Sequence, residues 1–502
     1  MDSLENALRA WRGALGEEYV LTEPAVLAAS ETATFPTRQR IPALLRPGST
    51  AEVQACLRIA QEHRVPLYPV SGGRNWGYGS RVPPTDGSVL MSLSRMDRVL
   101  GHDEQLGTLT VEPGVTFRQA HAWLEARGSS LFLTTIGGSP DGSLIGNALE
   151  RGDGRGPTPD IFDHVCALEV VLPTGELVHT GHARFPGARA EPVFRWGLGP
   201  FVDGLFSQSN LGVVTRMTFW LNRKAPHFRE FLATVESDEQ LSQVVDRLQE
   251  LSHEGTLRGS VFLWNDVKVL SVTQQYPWKE AGGRTPLPAW VLDKVREDFG
   301  RWGVTGALYS PDEAIGEATE RRIRSRLEGL VRRIEFHEPE AGTSVMHGVP
   351  SEVNLAMGYW RKRTPQPSEP HLDRDRCGFI WSSVAVPFSG PEVTRALAIA
   401  ARVPRLFALE PNLALLGLTP RCLYLVSALI YDREVPKEDE RAMACYRALE
   451  RELTAAGYYP TRAGLQDSPA ALPQDEGTRA LLRRLKEALD PNGILAPGRY
   501  GL

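Results

Sequence analysis

The chain has 502 residues, of which 42% are hydrophobic and 23% charged, and a net charge of -5. That length exceeds what one hydrophobic core serves, so two or more domains are expected, and the composition excludes a fibrous or disordered chain. The balanced charge excludes a general affinity for nucleic acid or an anionic membrane.

Met1-Asp2-Ser3-Leu4-Glu5-Asn6 carries acids where a secretory leader has a basic patch followed by an apolar run. Ser49-Thr50-Ala51-Glu52 forms a capping box, and Val53, Cys56, Leu57 and Ala60 follow at helical spacing. Val65 to Val70 reads as a buried strand that runs into the loop Ser71-Gly72-Gly73-Arg74-Asn75-Trp76-Gly77-Tyr78-Gly79. The strand Thr108 to Val111 ends at Glu112-Pro113-Gly114, and Thr116 caps a helix bearing Phe117, Ala120, Trp123 and Leu124. Leu168 to Leu172 is a strand closed by Pro173-Thr174-Gly175, and Val213 to Leu221 is another.

After about Ala225 glycine loops become rarer and polar stretches such as Lys362 to Pro370 appear, which marks a second domain. Leu423 to Tyr431 is the longest apolar run, of strand length only, far short of the roughly eighteen residues of a membrane span. A helix around Gly477 to Leu489 stops at Pro491 and Gly493, and the tail after it is expected to rejoin the first domain. Cys56, Cys166, Cys377, Cys422 and Cys445 are odd in number, dispersed and without a Cys-x-x-Cys pair. They read as small buried hydrophobes, with no disulfide framework and no metal site, in a cytoplasmic protein.

Two loops suggest chemistry. Ser71 to Ser80 follows a strand and offers backbone N–H groups with few side chains in the way, as pyrophosphate binding needs, though it is neither a Gly-x-Gly-x-x-Gly nor a Walker loop. Gly137 to Gly156 is similarly dense in Gly, Ser and Asn. A single cluster of this kind is as well explained by a surface turn. Two in one alternating domain point to a backbone that approaches a ligand closely.

In order along the chain, the segments Pro69–Gly79, Val111–Thr116, Gly142–Gly152, Leu168–Leu172, Phe201–Gly212 and Asp490–Gly498 resemble the flavoproteins of the vanillyl-alcohol oxidase and p-cresol methylhydroxylase family. The resemblance covers roughly Ile41 to Pro226 and the tail after about Ala455; the middle third matches weakly. It implies an α+β, two-domain FAD-binding fold with an antiparallel-sheet cap domain. Residues 1–225 would be the main part of the FAD-binding domain, 226–457 the cap, and 458–502 a segment returning to the first domain.

FAD would be held by Pro69, Ser71, Gly72, Gly73, Arg74, Asn75, Tyr78, Gly79, Pro140, Gly142, Ser143, Gly146, Asn147, Gly152, Gly212, Val213 and Arg499. Tyr424 falls where the family attaches its flavin covalently, with a core tyrosine beside noncovalent FAD as the alternative. The resemblance also implies a homo-oligomer, a small aromatic substrate, and molecular oxygen or a cytochrome as electron acceptor.

By the same resemblance, Tyr78 and Arg462 match positions that hold a substrate phenol as phenolate. The sequence departs from the pattern elsewhere. Thr461 replaces a second phenolate-binding tyrosine, Thr158 replaces an aromatic, and Gly138 stands where the oxidase branch has an acid. Arg155 is an added cation, read either as a solvated loop charge or, with Arg462, as a partner for a substrate carboxylate.

The expected reaction is hydride removal from the benzylic carbon of a para-hydroxyphenyl substrate through a quinone methide. Water addition, proton loss or decarboxylation to a styrene would follow, the last suited to bacterial secondary metabolism. The alternatives are oxidation of a 2-hydroxy acid or other alcohol, for which no histidine base is assignable, and a non-catalytic flavin carrier.

Overall fold

The computed structural model describes residues 2–467 and 469–502; Met1 and Ser468 lie outside it. Helix Thr50–His63 begins at Ser49, whose hydroxyl accepts from Glu52 N, and it buries Val53, Cys56, Leu57 and Ala60. The expected reciprocal arm is displaced by one residue: the Glu52 carboxylate accepts from Gly48 N at 2.8 Å, not from Ser49 N. Helix Phe117–Glu125 has the complete box, with Thr116 and Gln119 each accepting from the other's backbone N–H.

These helices pack on two sheets built from the first 220 residues. One has the spatial order Val20–Leu21, Leu44–Leu45, Val89–Ser92, Leu67–Val70, with parallel pairing among the last three strands. The strand expected from Val65 thus starts at Leu67. The other sheet is antiparallel and runs Val99–Asp103, Thr108–Val111, Val213–Trp220, Val165–Val171, Leu177–His179. The C-terminal tail joins the first sheet, where Leu67 N donates to Ile494 O and Ala496 N to Leu67 O. Its helix, Glu476–Leu489, ends as Pro491 and Gly493 predict, with Gly493 at φ +62°.

Residues 227–432 form a seven-stranded antiparallel sheet. Its order is Arg333–His337, His227–Val235, Trp302–Ser310, Phe262–Asn265, Asn412–Thr419, Cys422–Asp432, Cys377–Pro387. Alternation along a strand sends neighbouring side chains to opposite faces. Leu423, Leu425, Leu413, Leu415, Ile380 and Val384 enter a core shared with helices Asp238–His253, Gly390–Leu406 and Glu438–Ala455. Burying each such leucine is worth about 2 kcal/mol. The residues between them, including Trp381, Ser383, Ala414, Leu416 and Val426, face a cavity.

Gly77 holds the first glycine loop against that face. Its φ is +79°, and a Cβ there would lie 2.5 Å from the Trp381 ring. Gly77 O accepts from Trp381 N at 3.2 Å, and Gly77 N donates to Thr34 Oγ1 at 3.1 Å. All five cysteines are free, and all but Cys422 are fully buried. No helix among the described residues is long and apolar enough to cross a membrane.

Candidate active site

The cavity, ≈ 360 Å³, lies between the two glycine loops, the segment around Phe206–Val214 and the open face of the seven-stranded sheet. The glycine loops meet there: Arg74 reaches Asp141 at 3.9 Å, and a Cβ on Gly146 would touch Ser71 Oγ at 3.4 Å. Every residue picked from the sequence as a cofactor or substrate contact lines this cavity except Gly79, Pro140, Tyr424 and Arg499. Gly79 instead packs against Leu465, where a Cβ would meet Leu465 Cβ at 2.5 Å. Tyr424 stands two residues from the lining Val426 on the same face of its strand, opposite Leu416 and packed against the cluster that holds Phe262 and Leu416.

One group of polar residues centres on Tyr78 and Arg462. The Arg462 guanidinium sits 4.6 Å above the Tyr78 ring, donates to Asn75 Oδ1 at 2.6 Å and lies 3.3 Å from Glu150. Its backbone is fixed from both sides. Thr461 N donates to Ser383 O at 2.9 Å, Gln208 donates to Thr461 O at 2.9 Å, and Leu465 N donates to Tyr78 O at 2.8 Å. Burial pushes the Tyr78 phenol up, and the Arg462 charge opposes that only in part, so Tyr78 is a neutral hydrogen-bonding group at neutral pH.

Arg499 is not at the cavity wall. It is buried behind it, paired with Glu150 at 2.9 Å, and Tyr500 donates to the same carboxylate. Burial works against the Glu150 anion, but Arg499, Arg462 and the Tyr500 hydroxyl together hold its carboxyl below the usual range. Glu150 lines the cavity and ties the tail to it, a role sequence reasoning missed. Thr461 bonds Ser383, and Thr158 bonds Thr134 outside the wall, so neither hydroxyl stands in for a tyrosine.

A second group involves Arg155, and the solvated-loop reading of that residue is wrong. Its guanidinium turns inward to the cavity, 4.5 Å above the Phe262 ring and 5.5 Å from Trp264, and its Nε is buried without a hydrogen-bond partner. Gly137 makes room for it, since a Cβ there would lie 2.5 Å from Arg155 Nη2 and 2.4 Å from Asn354 Nδ2. Lys268, on the buried helix Asp266–Thr273, also lines the wall. Its only sequence signal is a lone cation between Val267 and Val269-Leu270.

The wall fits a flavin nucleotide. Glycine backbone lines the crossing of the loops, and Asn147 Oδ1 and Asn412 Oδ1 are buried acceptors without donors. An isoalloxazine imide and an adenine amine carry N–H groups of that kind. Among the described residues no His/Cys/Asp/Glu cluster has the makings of a metal site.

Residues 41–181 match the FAD binding domain family. Over 99% of its length the chain is 45% identical to the 1'-carboxy-chondrochloren decarboxylase of Chondromyces crocatus, covering 97% of that protein. It is 31% identical to the 4-cresol dehydrogenase (hydroxylating) flavoprotein subunit of Pseudomonas putida, across 99% of the chain and 95% of that protein. Its fold superimposes on substrate-bound p-cresol methylhydroxylase with a TM-score of 0.93 and 28% identity, covering 100% of this chain and 97% of that one.

Proposed function

The chain belongs to the vanillyl-alcohol oxidase and p-cresol methylhydroxylase family of FAD-linked oxidoreductases, and on that premise we propose that it oxidises a para-hydroxyphenyl acid at its benzylic carbon, with loss of the carboxylate. The observation that carries this is the Tyr78–Arg462 pair in the wall, with the guanidinium held by Asn75 and Glu150. A phenol oxygen placed against it meets a neutral hydroxyl and a fixed cation, a setting that favours the phenolate.

FAD, when bound, supplies the hydride acceptor. The phenolate electron pair moves into the ring as the benzylic C–H bond gives up its hydride, which leaves a quinone methide. The bond to the carboxylate then breaks, its electron pair restores the aromatic ring, and a styrene and carbon dioxide remain. Arg462 and Tyr78 serve by holding the oxygen as charge shifts away from it. The relatives support this chemistry by name: one is a decarboxylase of a carboxylated natural product and the other a 4-cresol dehydrogenase.

Anaerobic mixing of the FAD-loaded protein with a carboxyl-labelled 3-(4-hydroxyphenyl)propionate is expected to bleach the flavin and release labelled carbon dioxide on the same time course. Bleaching by a 2-hydroxy acid and not by the phenol would replace this reading with direct alcohol oxidation. Yellow colour that persists with every donor would leave a carrier.

Tyr424 is the proposed flavin tether. In support, it stands on the cavity side of its strand beside Val426, and no described side chain bonds its hydroxyl. Acid precipitation should leave flavin on the wild-type protein and free it from Tyr424→Phe. Equal release from both would remove the tether.

A further inference from the structure

Six lysine and arginine side chains are buried among the described residues: Arg195, Lys268, Arg361, Lys362, Lys486 and Arg499. Five of them have a carboxylate oxygen within 3.0 Å. Lys268 is the exception. It is 3% exposed and has no carboxylate within the 4.0 Å of an ion pair. Its ammonium rests on Asn354 Oδ1 at 3.2 Å and the Met357 thioether at 2.8 Å, weak compensation for a desolvated charge.

A second cation stands beside it. Lys268 Nζ and Arg155 Cζ lie 5.6 and 5.5 Å from the same Trp264 ring, and Asn354 bridges them by accepting from Lys268 and donating to Gly137 O, against which Arg155 packs. Arg155 likewise has no carboxylate partner, and its Nε and the Trp264 Nε1 are buried donors without acceptors. Asp153 is also in the wall, but beyond ion-pair distance of both. Burial, reinforced by the Arg155 charge and opposed only in part by Asp153, drives the Lys268 ammonium well below the usual lysine range. The donors surround a lined space in which no described carboxylate touches either cation.

Resting on the reading above that the substrate is an aromatic acid, the geometry points to Lys268 and Arg155 as a two-cation seat for the substrate's carboxylate, distinct from the Tyr78–Arg462 group that takes the phenol oxygen. The forked guanidinium, the ammonium and the indole N–H together match two oxygens with four lone pairs. The flanking Trp264 and Trp381 rings suit the carbon that bears them. Such a seat selects an acid over its uncharged counterpart and holds the carboxylate in place until the bond to it breaks.

Trans-4-hydroxycinnamate and its carboxamide test this, because neither has an sp3 benzylic hydrogen to lose and both report through the flavin spectrum of the FAD-loaded protein. Wild type is expected to bind the acid at least about ten-fold more tightly than the amide, as hydrogen bonds to a charged group do. Lys268→Met and Arg155→Met should each cut that preference by about ten-fold. Equal affinities in the wild type, or an unchanged preference in the variants, would overturn the seat. Variants that instead shift only the flavin midpoint potential would assign the cations to the cofactor. The wild-type comparison needs no variant to fold, and binding needs no hydride transfer. A protein that prefers the acid yet is never bleached by a phenol would keep the seat and lose the proposed reaction.

Discussion

Replacing Arg462 with methionine should slow flavin reduction by a para-hydroxyphenyl substrate by about 100- to 1000-fold, while the flavin remains bound. Methionine keeps most of the stem and removes the charge that the proposed reaction sets against the phenol oxygen. The side chain is set in place by Asn75 at 2.6 Å, Glu150 at 3.3 Å and the Tyr78 ring at 4.6 Å, so its position need not be reorganised as charge develops. Arg462→Lys is expected to recover only part of the rate, because a point charge cannot keep the contacts to Asn75 and Glu150 and still face the cavity. Stopped-flow reduction across pH adds a diagnostic. Without the guanidinium, the substrate phenol must lose its proton unaided, so the variant's rate should rise toward alkaline pH more steeply than wild type. A reductive half-reaction unchanged in rate and pH profile would take Arg462 out of the chemistry.

What made the glycine-loop side of the cavity readable in the sequence is that backbone approach to a ligand, or to another segment, demands particular residues. Gly77 cannot carry a Cβ beside Trp381, and the run Ser71 to Gly79 shows the requirement openly. Helix starts at Ser49 and Thr116 were legible for a similar reason, since an N-cap needs a short side-chain acceptor. The sheet-facing side was not. Leu423 to Tyr431 is apolar on both faces, so periodicity could not tell the core-facing Leu425 from the cavity-facing Val426. Lys268 looks like any helix cation until the sheet, Asn354 and Met357 close around it. Arg155 sits in a stretch whose composition reads as exposed loop, and only Phe262 and Trp264, more than a hundred residues later, turn it inward. Burial of a charge is a tertiary fact, and local sequence does not record it.

Glu150→Gln should destabilise the folded protein by about 3 kcal/mol, because it strips the counter-charge from two largely buried arginines at once. Arg499 is 7% exposed, and its pairing with Glu150 at 2.9 Å anchors the C-terminal tail, while Arg462 loses one of the groups that aim it. The carboxyl titrates lower in the folded chain than in the unfolded one, so the folded state gains from its ionisation. That contribution is whole above the unfolded glutamate range and fades as pH falls through the lower folded value. The gap in unfolding free energy between wild type and Glu150→Gln is therefore expected to be widest near neutral pH and to narrow under acid. Denaturant unfolding of the two proteins at several pH values measures it directly. A gap of constant width would mean that the amide disturbs packing and not charge, and no gap would mean that Arg499 is held by its surroundings without the ion pair. If the network is the anchor, the same substitution must also loosen the tail's junction with Leu67, which hydrogen exchange at Leu67 and Ala496 would register as lost protection.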